Sequence, residues 1–107
     1  MTFENEDFIV KPSQIHGLGL FAKRKFRKEE VVLRWNPVRL SGDGLKKIPD
    51  NQKRYLNTSE DGAILLMQAP ERFVNHSEHP NTQTVGETDV ALRDIEIGEE
   101  ITSSYPL

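Results

Sequence analysis

The sequence predicts a mainly β domain with little helix, and three observations support this class. Apolar runs are short and rich in β-branched and aromatic residues, as in residues 8–10 and 30–35. Residues that form turns, above all glycine, proline, asparagine and aspartate, separate these runs at short intervals. The chain has 107 residues, which predicts one domain over residues 1–107, with the informative motifs between about residues 8 and 105.

The predicted strands follow one another along the chain with turns between them. The first strand, residues 8–10, ends before Pro12, and the clearest strand, residues 30–35, ends before Pro37. The later predicted strands are residues 63–67, a hairpin over residues 82–92 with its turn at residues 85–88, and a last strand that starts at residues 99–102.

The segment between the second and third predicted strands is polar and mixed. Asp43-Gly44 and residues 48–50 have the composition of turns. One short helix is predicted at residues 52–56. Almost no other helix is expected.

A weak internal repeat connects two distant parts of the chain. Four residues recur at identical offsets in residues 22–30 and 91–99: alanine, arginine, an apolar residue and glutamate. An alternation of outward and inward residues is typical of extended chain, so the repeat predicts two similar corners, each joining a strand to a turn and a further strand.

Composition and charge exclude several classes of protein. The net charge is −3, whereas nucleic-acid-binding domains usually carry a basic excess, so no direct nucleic-acid binding is expected. No apolar run approaches the ~20 residues that span a bilayer, and residues 1–7 lack the features of a secretion signal. The chain has no cysteine, which excludes disulfides and zinc–thiolate sites. A cytoplasmic protein is expected.

Two segments carry most of the candidate chemistry. In His16-Gly17-Leu18-Gly19-Leu20, the glycines allow backbone groups to approach a ligand, although a bulge at a sheet edge explains them equally well. In residues 72–81, amide, hydroxyl and imidazole side chains crowd into ten positions. They can bind a ligand or satisfy the backbone of a tight loop.

Two further interpretations of the second segment are weaker. A metal site would use His76 and His79, with Glu78, but no distant ligand obviously completes it, so no metal is expected. A Ser77–His76 nucleophile pair is disfavoured because neighbouring side chains on an extended strand point in opposite directions.

Together and in this order, the segments resemble the SET domain, the protein-lysine methyltransferase family. The family pattern has a Gly-x-Gly segment, then Arg-Phe-x-Asn-His-Ser-x-x-Pro-Asn, then Ile-x-x-Gly-Glu-Glu-Ile/Leu before a final tyrosine. This chain has Gly17-Leu18-Gly19, the complete match at residues 72–81, and residues 95–101 before Tyr105. The resemblance implies a fold of several small sheets with a C-terminal pseudoknot, in which the last segment passes through a loop.

The resemblance also implies a cofactor and a site. The cofactor would be S-adenosylmethionine, with S-adenosylhomocysteine as product, and the acceptor a lysine of a protein substrate. Tyr105 would orient the amine and the methyl group, and Tyr55 would line the lysine channel. The implied cofactor-binding residues are His16, Gly17, Leu18, Gly19, Leu20, Arg72, Phe73, Asn75 and His76.

The chain departs from the family in ways that affect catalysis more than cofactor binding. Glu78 stands where many relatives have a zinc-binding cysteine, and only Pro106 and Leu107 follow Tyr105. In many relatives the segment beyond this tyrosine closes one wall of the lysine channel. A partner chain, such as a second copy in a homodimer, would have to supply that wall. The alternative is a SET module with weak or no activity that binds cofactor or a protein partner.

Overall fold

The computed structural model describes residues 3–59 and 61–104. Its strands in these ranges are β1 (Phe8–Pro12), β2 (Leu18–Ala22), β3 (Val31–Arg34), β4 (Val38–Leu40), β5 (Leu56–Thr58), β6 (Ile64–Leu66), β7 (Asn75–His76), β8 (Thr82–Val85), β9 (Thr88–Ala91) and β10 (Glu100–Ser103). The helical elements are short: α1 (Gly42–Lys46) and two 3₁₀ helices, Asp50–Tyr55 and Glu71–Phe73.

The strands form three small sheets, which confirms the predicted mainly β class. The four-stranded sheet has the order β1-β2-β10-β7, and the two three-stranded sheets have the orders β3-β9-β8 and β4-β6-β5. The predicted hairpin is β8 and β9, which pair from Thr82 opposite Ala91 to Val85 opposite Thr88. Gly86 in its turn has a φ of 61°, a conformation that glycine adopts without steric cost.

One predicted turn proves to be helical. The prediction of a turn at Asp43-Gly44 is wrong, because these residues lie inside α1. Two glycines make the segment a poor helix by propensity, and none of its residues is buried. The N–H of Leu45 donates to the carbonyl of Ser41, and Asp43 in the first turn and Lys46 in the last have the favourable signs for the helix dipole.

The last described strand joins parts of the chain that are distant in sequence. β10 pairs antiparallel with β2, with Ile101 opposite Leu20, and parallel with β7, with Thr102 opposite Asn75. A strand inserted between two earlier strands in this way is the arrangement that the expected pseudoknot requires. It brings Gly17-Leu18-Gly19, which we call the glycine segment, together with Asn75-His76 and the end of the described chain at the four-stranded sheet.

The two corners predicted from the internal repeat pack against each other. Phe26 and Ile95, both fully buried, form a reciprocal antiparallel bridge in which each N–H donates to the other's carbonyl, at 2.9 and 2.8 Å. In one corner Arg24 pairs with Glu30 at 2.8 Å, and in the other Arg93 pairs with Glu99 at 3.0 Å. The repeat is therefore a pair of equivalent corners that enclose the core.

The hydrophobic core lies between the four-stranded sheet and these corners. The rings of Phe8 and Phe26 stack with centroids 5.4 Å apart. The other members of the core are Val10, Leu20, Ala22, Val32, Leu33, Val74, Ala91, Ile95 and Ile101. Within the described ranges no helix is long and apolar enough to cross a membrane.

Candidate functional site

A cavity of about 620 Å³ opens beside the glycine segment, and we call it the glycine cavity. It is bounded by the loop before β2, the 3₁₀ helix Asp50–Tyr55 and the segment from Glu71 to Asn75. Its lining residues are His16, Gly17, Leu18, Arg54, Tyr55, Leu56, Asn57, Met67, Glu71, Arg72, Phe73, Val74 and Asn75.

The glycine cavity contains most of the residues that the sequence indicated as cofactor-binding. His16, Gly17 and Leu18 line it from one side, and Arg72, Phe73 and Asn75 from the other. The remaining three lie elsewhere.

Those three residues do not line the cavity. Gly19 faces Glu100, and Leu20 is fully buried in the core. His76 is half-buried in β7, opposite Ser103 of β10. Leu18 and Leu20 lie on the same face of β2, but Leu18 is exposed at the start of the strand, whereas Leu20 lies further along it, over the core.

On one side of the cavity, the guanidinium of Arg72 packs against two aromatic rings. The guanidinium of Arg72 lies 4.8 Å from the ring centroid of Tyr55 and 5.1 Å from that of Phe73. Such cation–π contacts hold an arginine without using its N–H donors. The Arg72 Nε atom is buried and has no hydrogen-bond partner among the described residues. Tyr55, expected to line the lysine channel, thus shares a cavity with the predicted cofactor-binding residues.

The side chain of Asn75 contacts the glycine segment directly. Its amide nitrogen lies 3.0 Å from the His16 carbonyl, 3.1 Å from the Leu18 carbonyl and 2.9 Å from the Glu100 carboxylate, so its two N–H groups are shared among three acceptors. Asn75 therefore fixes the loop that forms one wall of the cavity, whatever contact it makes with a ligand.

Glu71 is a lining residue that sequence reasoning missed. It is 3% exposed, and one carboxylate oxygen accepts the Asn36 N–H at 2.8 Å. The other oxygen, Oε1, is buried without a partner among the described residues. The only signal in the sequence was an acidic residue immediately before the Arg72-Phe73 motif, which alone does not predict burial.

A second buried carboxylate, Asp89, lies near Glu71. Asp89 accepts the indole N–H of Trp35 at 3.0 Å and the Thr84 hydroxyl at 3.2 Å. Burial raises the pKa of Asp89 above its usual range, and the nearby Glu71 carboxylate raises it further, against the lowering effect of the two hydrogen bonds. Both carboxylates accept a hydrogen bond from the segment that follows β3, Asp89 from Trp35 and Glu71 from Asn36.

A second cavity of about 750 Å³ lies between β5 and β8, and we call it the edge groove. These two strands stand at the ends of their sheets, so each has an edge without a ladder partner in the described part of the chain. Asn57 lines both the edge groove and the glycine cavity. The other lining residues are Trp35, Thr58, Ser59, Asp61, Pro80, Thr82, Gln83, Thr84, Gly86, Glu87, Leu92 and Ser104.

Tyr105, the residue expected to orient amine and methyl, lies outside the described residues. Its chain neighbour Ser104 lines the edge groove, and Ser103 pairs with His76 in the four-stranded sheet. Across residues 3–59 and 61–104, no three histidine, aspartate or glutamate side chains gather as they would around a metal ion.

Comparison with known proteins gives two findings. A family model described as "SET domain" matches residues 17–106, which include both the glycine segment and the segment from residue 72 to residue 81. The structure is similar to a crystal structure from Plasmodium falciparum described as a "putative histone methyltransferase". The TM-score is 0.72, with 25% sequence identity over 96% of each chain.

Proposed function

The chain belongs to the SET domain family of methyltransferases, and from this we propose that it transfers a methyl group from S-adenosylmethionine to a lysine side chain of a protein. The single observation that carries the proposal is the glycine cavity. One cavity collects His16-Gly17-Leu18 and Arg72-Phe73, with Asn75, from segments more than 50 residues apart in sequence.

The residues of the glycine cavity fit the chemistry of this cofactor. A volume of about 620 Å³ lies in the range of small-molecule sites. Phe73 and Tyr55 supply aromatic surface beside Arg72. Two buried polar atoms of lining residues, Arg72 Nε and Glu71 Oε1, lack partners among the described residues, and buried polar atoms normally have one. The polar and aromatic wall suits a ligand with an aromatic base and charged groups.

The cofactor supplies an activated methyl group on a sulfonium when it is bound. The protein has to hold the acceptor amine neutral and in line with that methyl, since free lysine titrates near 10.4. Exclusion of water and a neighbouring positive charge both lower an amine pKa. We assign Tyr105 the role of orienting the amine through its hydroxyl, because positioning alone can supply much of the rate.

The edge groove is an argument for a protein as the methyl acceptor. An extended peptide binds readily to a strand edge that has no partner, because backbone hydrogen bonds then add a strand to the sheet. The groove offers two such edges, β5 and β8. Asn57 borders both cavities, so a side chain that enters from the groove has a short path to the cofactor site.

Two measurements test the proposal. Calorimetry with S-adenosylmethionine should show binding, and transfer of labelled methyl to histones and whole-lysate proteins should mark lysines when products are mapped by mass spectrometry. Tyr105→Phe should bind cofactor normally and lose transfer, whereas Ile97→Ala, at an exposed position that lines neither cavity, should keep transfer. Absence of binding at millimolar cofactor would refute the proposal. Binding with transfer equally absent from wild type and Tyr105→Phe would favour an inactive cofactor-binding module.

A further inference from the structure

We propose that Glu100 is a positioning residue that sets the shape of the glycine segment and, through it, the affinity of the glycine cavity for its ligand. The proposal rests on the proposed function only in taking S-adenosylmethionine as that ligand. Glu100 does not line the cavity. It acts through the loop before β2, which does.

The Glu100 carboxylate collects donors from two other segments. The Ser13 hydroxyl lies 2.8 and 2.9 Å from its two oxygens, and the Asn75 amide nitrogen donates to Oε2 at 2.9 Å. Glu100 is the first residue of β10, Asn75 the first of β7, and Ser13 follows β1. One half-buried carboxylate therefore ties three strands together at the base of the loop.

Asn75 and Ser13, the two hydrogen-bond partners of Glu100, also form hydrogen bonds with the backbone of the loop. Asn75 also donates to the carbonyls of His16 and Leu18. The Ser13 hydroxyl accepts the N–H of Ile15 at 2.9 Å, and the Ser13 N–H donates to the Gly17 carbonyl at 2.8 Å. Every residue from 14 to 18 is exposed, so this set of hydrogen bonds, more than packing, determines the loop conformation.

The need for glycine at position 19 follows from the same carboxylate. A Cβ added to Gly19 would lie 2.4 Å from Glu100 Oε2 and 3.0 Å from Ser13 Cβ. The carboxylate could move aside only by leaving Asn75 and Ser13. The second glycine of the segment is thus required by Glu100 rather than by its own backbone angle, whereas Gly17 has a φ of 47°.

A carboxylate suits this position better than an amide. Ser13 and Asn75 both present donors, and an ionised carboxylate only accepts, whereas an amide would turn an N–H₂ group toward one of them. No lysine or arginine among the described residues forms an ion pair with Glu100. Among the described residues, the Glu100 carboxylate therefore accepts hydrogen bonds from two neutral side chains, Ser13 and Asn75, which also bond to the loop.

The test compares Glu100→Gln with Glu99→Gln. Glu99 is the adjacent residue, and its carboxylate pairs with Arg93 away from the loop. Glu100→Gln should weaken binding of S-adenosylmethionine about ten-fold, the low end for hydrogen bonds to a charged group, while Glu99→Gln leaves it nearly unchanged. In transfer assays KM for the cofactor should rise with little change in kcat. Equal affinities of wild type and Glu100→Gln would overturn the proposal, as would equal weakening by Glu99→Gln.

A double-mutant cycle gives a second readout. Gly19→Ala should weaken binding in the wild type, because the new methyl displaces the carboxylate. It should weaken binding less in a Glu100→Ala background, where only the contact with Ser13 Cβ remains. Full additivity would contradict the proposal. Ser13→Ala serves in place of Glu100→Gln if that variant fails to fold, with the same direction expected.

A third readout does not depend on the cofactor. In the ligand-free protein, Glu100→Gln should change the NMR amide shifts of residues 15–18 and leave those of the 22–30 corner unchanged. If wild type itself binds no S-adenosylmethionine, the proposed function fails, and these shifts still decide the role of Glu100. Unchanged shifts at residues 15–18 would refute it.

Discussion

At the residue scale, the buried carboxylate of Asp89 makes the stability of the protein depend on pH. Asp89 is 3% exposed, and its hydrogen bonds to Trp35 and Thr84 do not offset its burial. Its pKa is raised in the folded state. The stability it contributes is therefore fully present below its unfolded pKa and is lost as pH rises through the raised value.

We expect Asp89→Asn to be more stable than wild type at pH 7. Asparagine keeps an oxygen that accepts the Trp35 indole N–H, its amide can donate to the rotatable Thr84 hydroxyl, and it carries no charge to bury. The advantage should shrink as pH falls toward the ordinary aspartate pKa of about 3.9, where wild-type Asp89 also becomes neutral. Urea unfolding at a series of pH values measures this.

Asp94→Asn is the matched control, because the pKa of Asp94 is shifted in the opposite direction to that of Asp89. The Lys28 N–H hydrogen bond holds the pKa of Asp94 below its usual range, so its contribution is present at neutral pH and lost as pH falls through the lowered value. Asp94→Asn should therefore lose stability at pH 7 and converge on wild type in acid. An Asp89→Asn advantage that grows as pH falls would contradict the assignment.

At the element scale, the two corners show how one conformation is built from different residues. In each corner the glutamate carboxylate accepts a backbone N–H three residues earlier, Arg27 in one and Glu96 in the other, both at 2.9 Å. The residue before each glutamate has positive φ: 72° at Glu29 and 90° at Gly98. Only the second corner has the residue that adopts this conformation without cost.

Glu29→Gly should therefore stabilise the protein, although glycine costs chain entropy. A non-glycine residue in this conformation costs about 1–2 kcal/mol, and the greater chain entropy of glycine in the unfolded state offsets about 0.5–1 kcal/mol of that, so the expected gain is up to about 1.5 kcal/mol. Glu29 is exposed, so little side-chain contact is lost. Thermal and chemical unfolding measure the change.

The reciprocal variant at the equivalent position is the control. Gly98→Ala should destabilise by about 1–2 kcal/mol, because a side chain is introduced at a φ of 90°. A Glu29→Gly variant that loses as much stability as Gly98→Ala would show that the two corners are not conformationally equivalent.

At the scale of the whole molecule, a buried asparagine holds the last strand in place. Asn81 is 2% exposed and lies before β8. Its amide donates to the Glu100 carbonyl at 2.7 Å and accepts the Thr102 N–H at 2.8 Å. The Thr82 hydroxyl adds a bond to the Thr102 carbonyl at 2.7 Å. These bonds join the hairpin sheet to β10, and hence to the sheet that carries the glycine segment.

Asn81→Ala should cost about 2–6 kcal/mol, since the buried Thr102 N–H and the partly buried Glu100 carbonyl both lose the side chain they bond to, at about 1–3 kcal/mol each. Denaturant unfolding measures the loss. Asn51→Ala, at an exposed position in the 3₁₀ helix Asp50–Tyr55, should stay within about 0.5 kcal/mol of wild type. A similar loss in both variants would argue against a special role for Asn81.

Local features of the fold were predictable because they depend on residues close in the chain. The β8–β9 hairpin followed from a glycine turn between alternating strands, and the two corners from the repeated alanine, arginine, apolar residue and glutamate. The helix α1 was not predictable, because its two glycines contradict its conformation.

The mainly β class was predictable from the sequence alone. The order of three weak segments, through their joint resemblance to one family, also indicated most residues of the glycine cavity. Only the tertiary structure decided which of them face that cavity, that Leu20 is core, and that Glu71 and Asp89 are buried as neighbours. It also established the contacts of Glu100 with Ser13, 87 residues away, and with Asn75, from which we infer its role. The physical reason is that local turns and strands depend on neighbouring residues. Burial and hydrogen bonding of a side chain depend on which distant strands β10 pairs with.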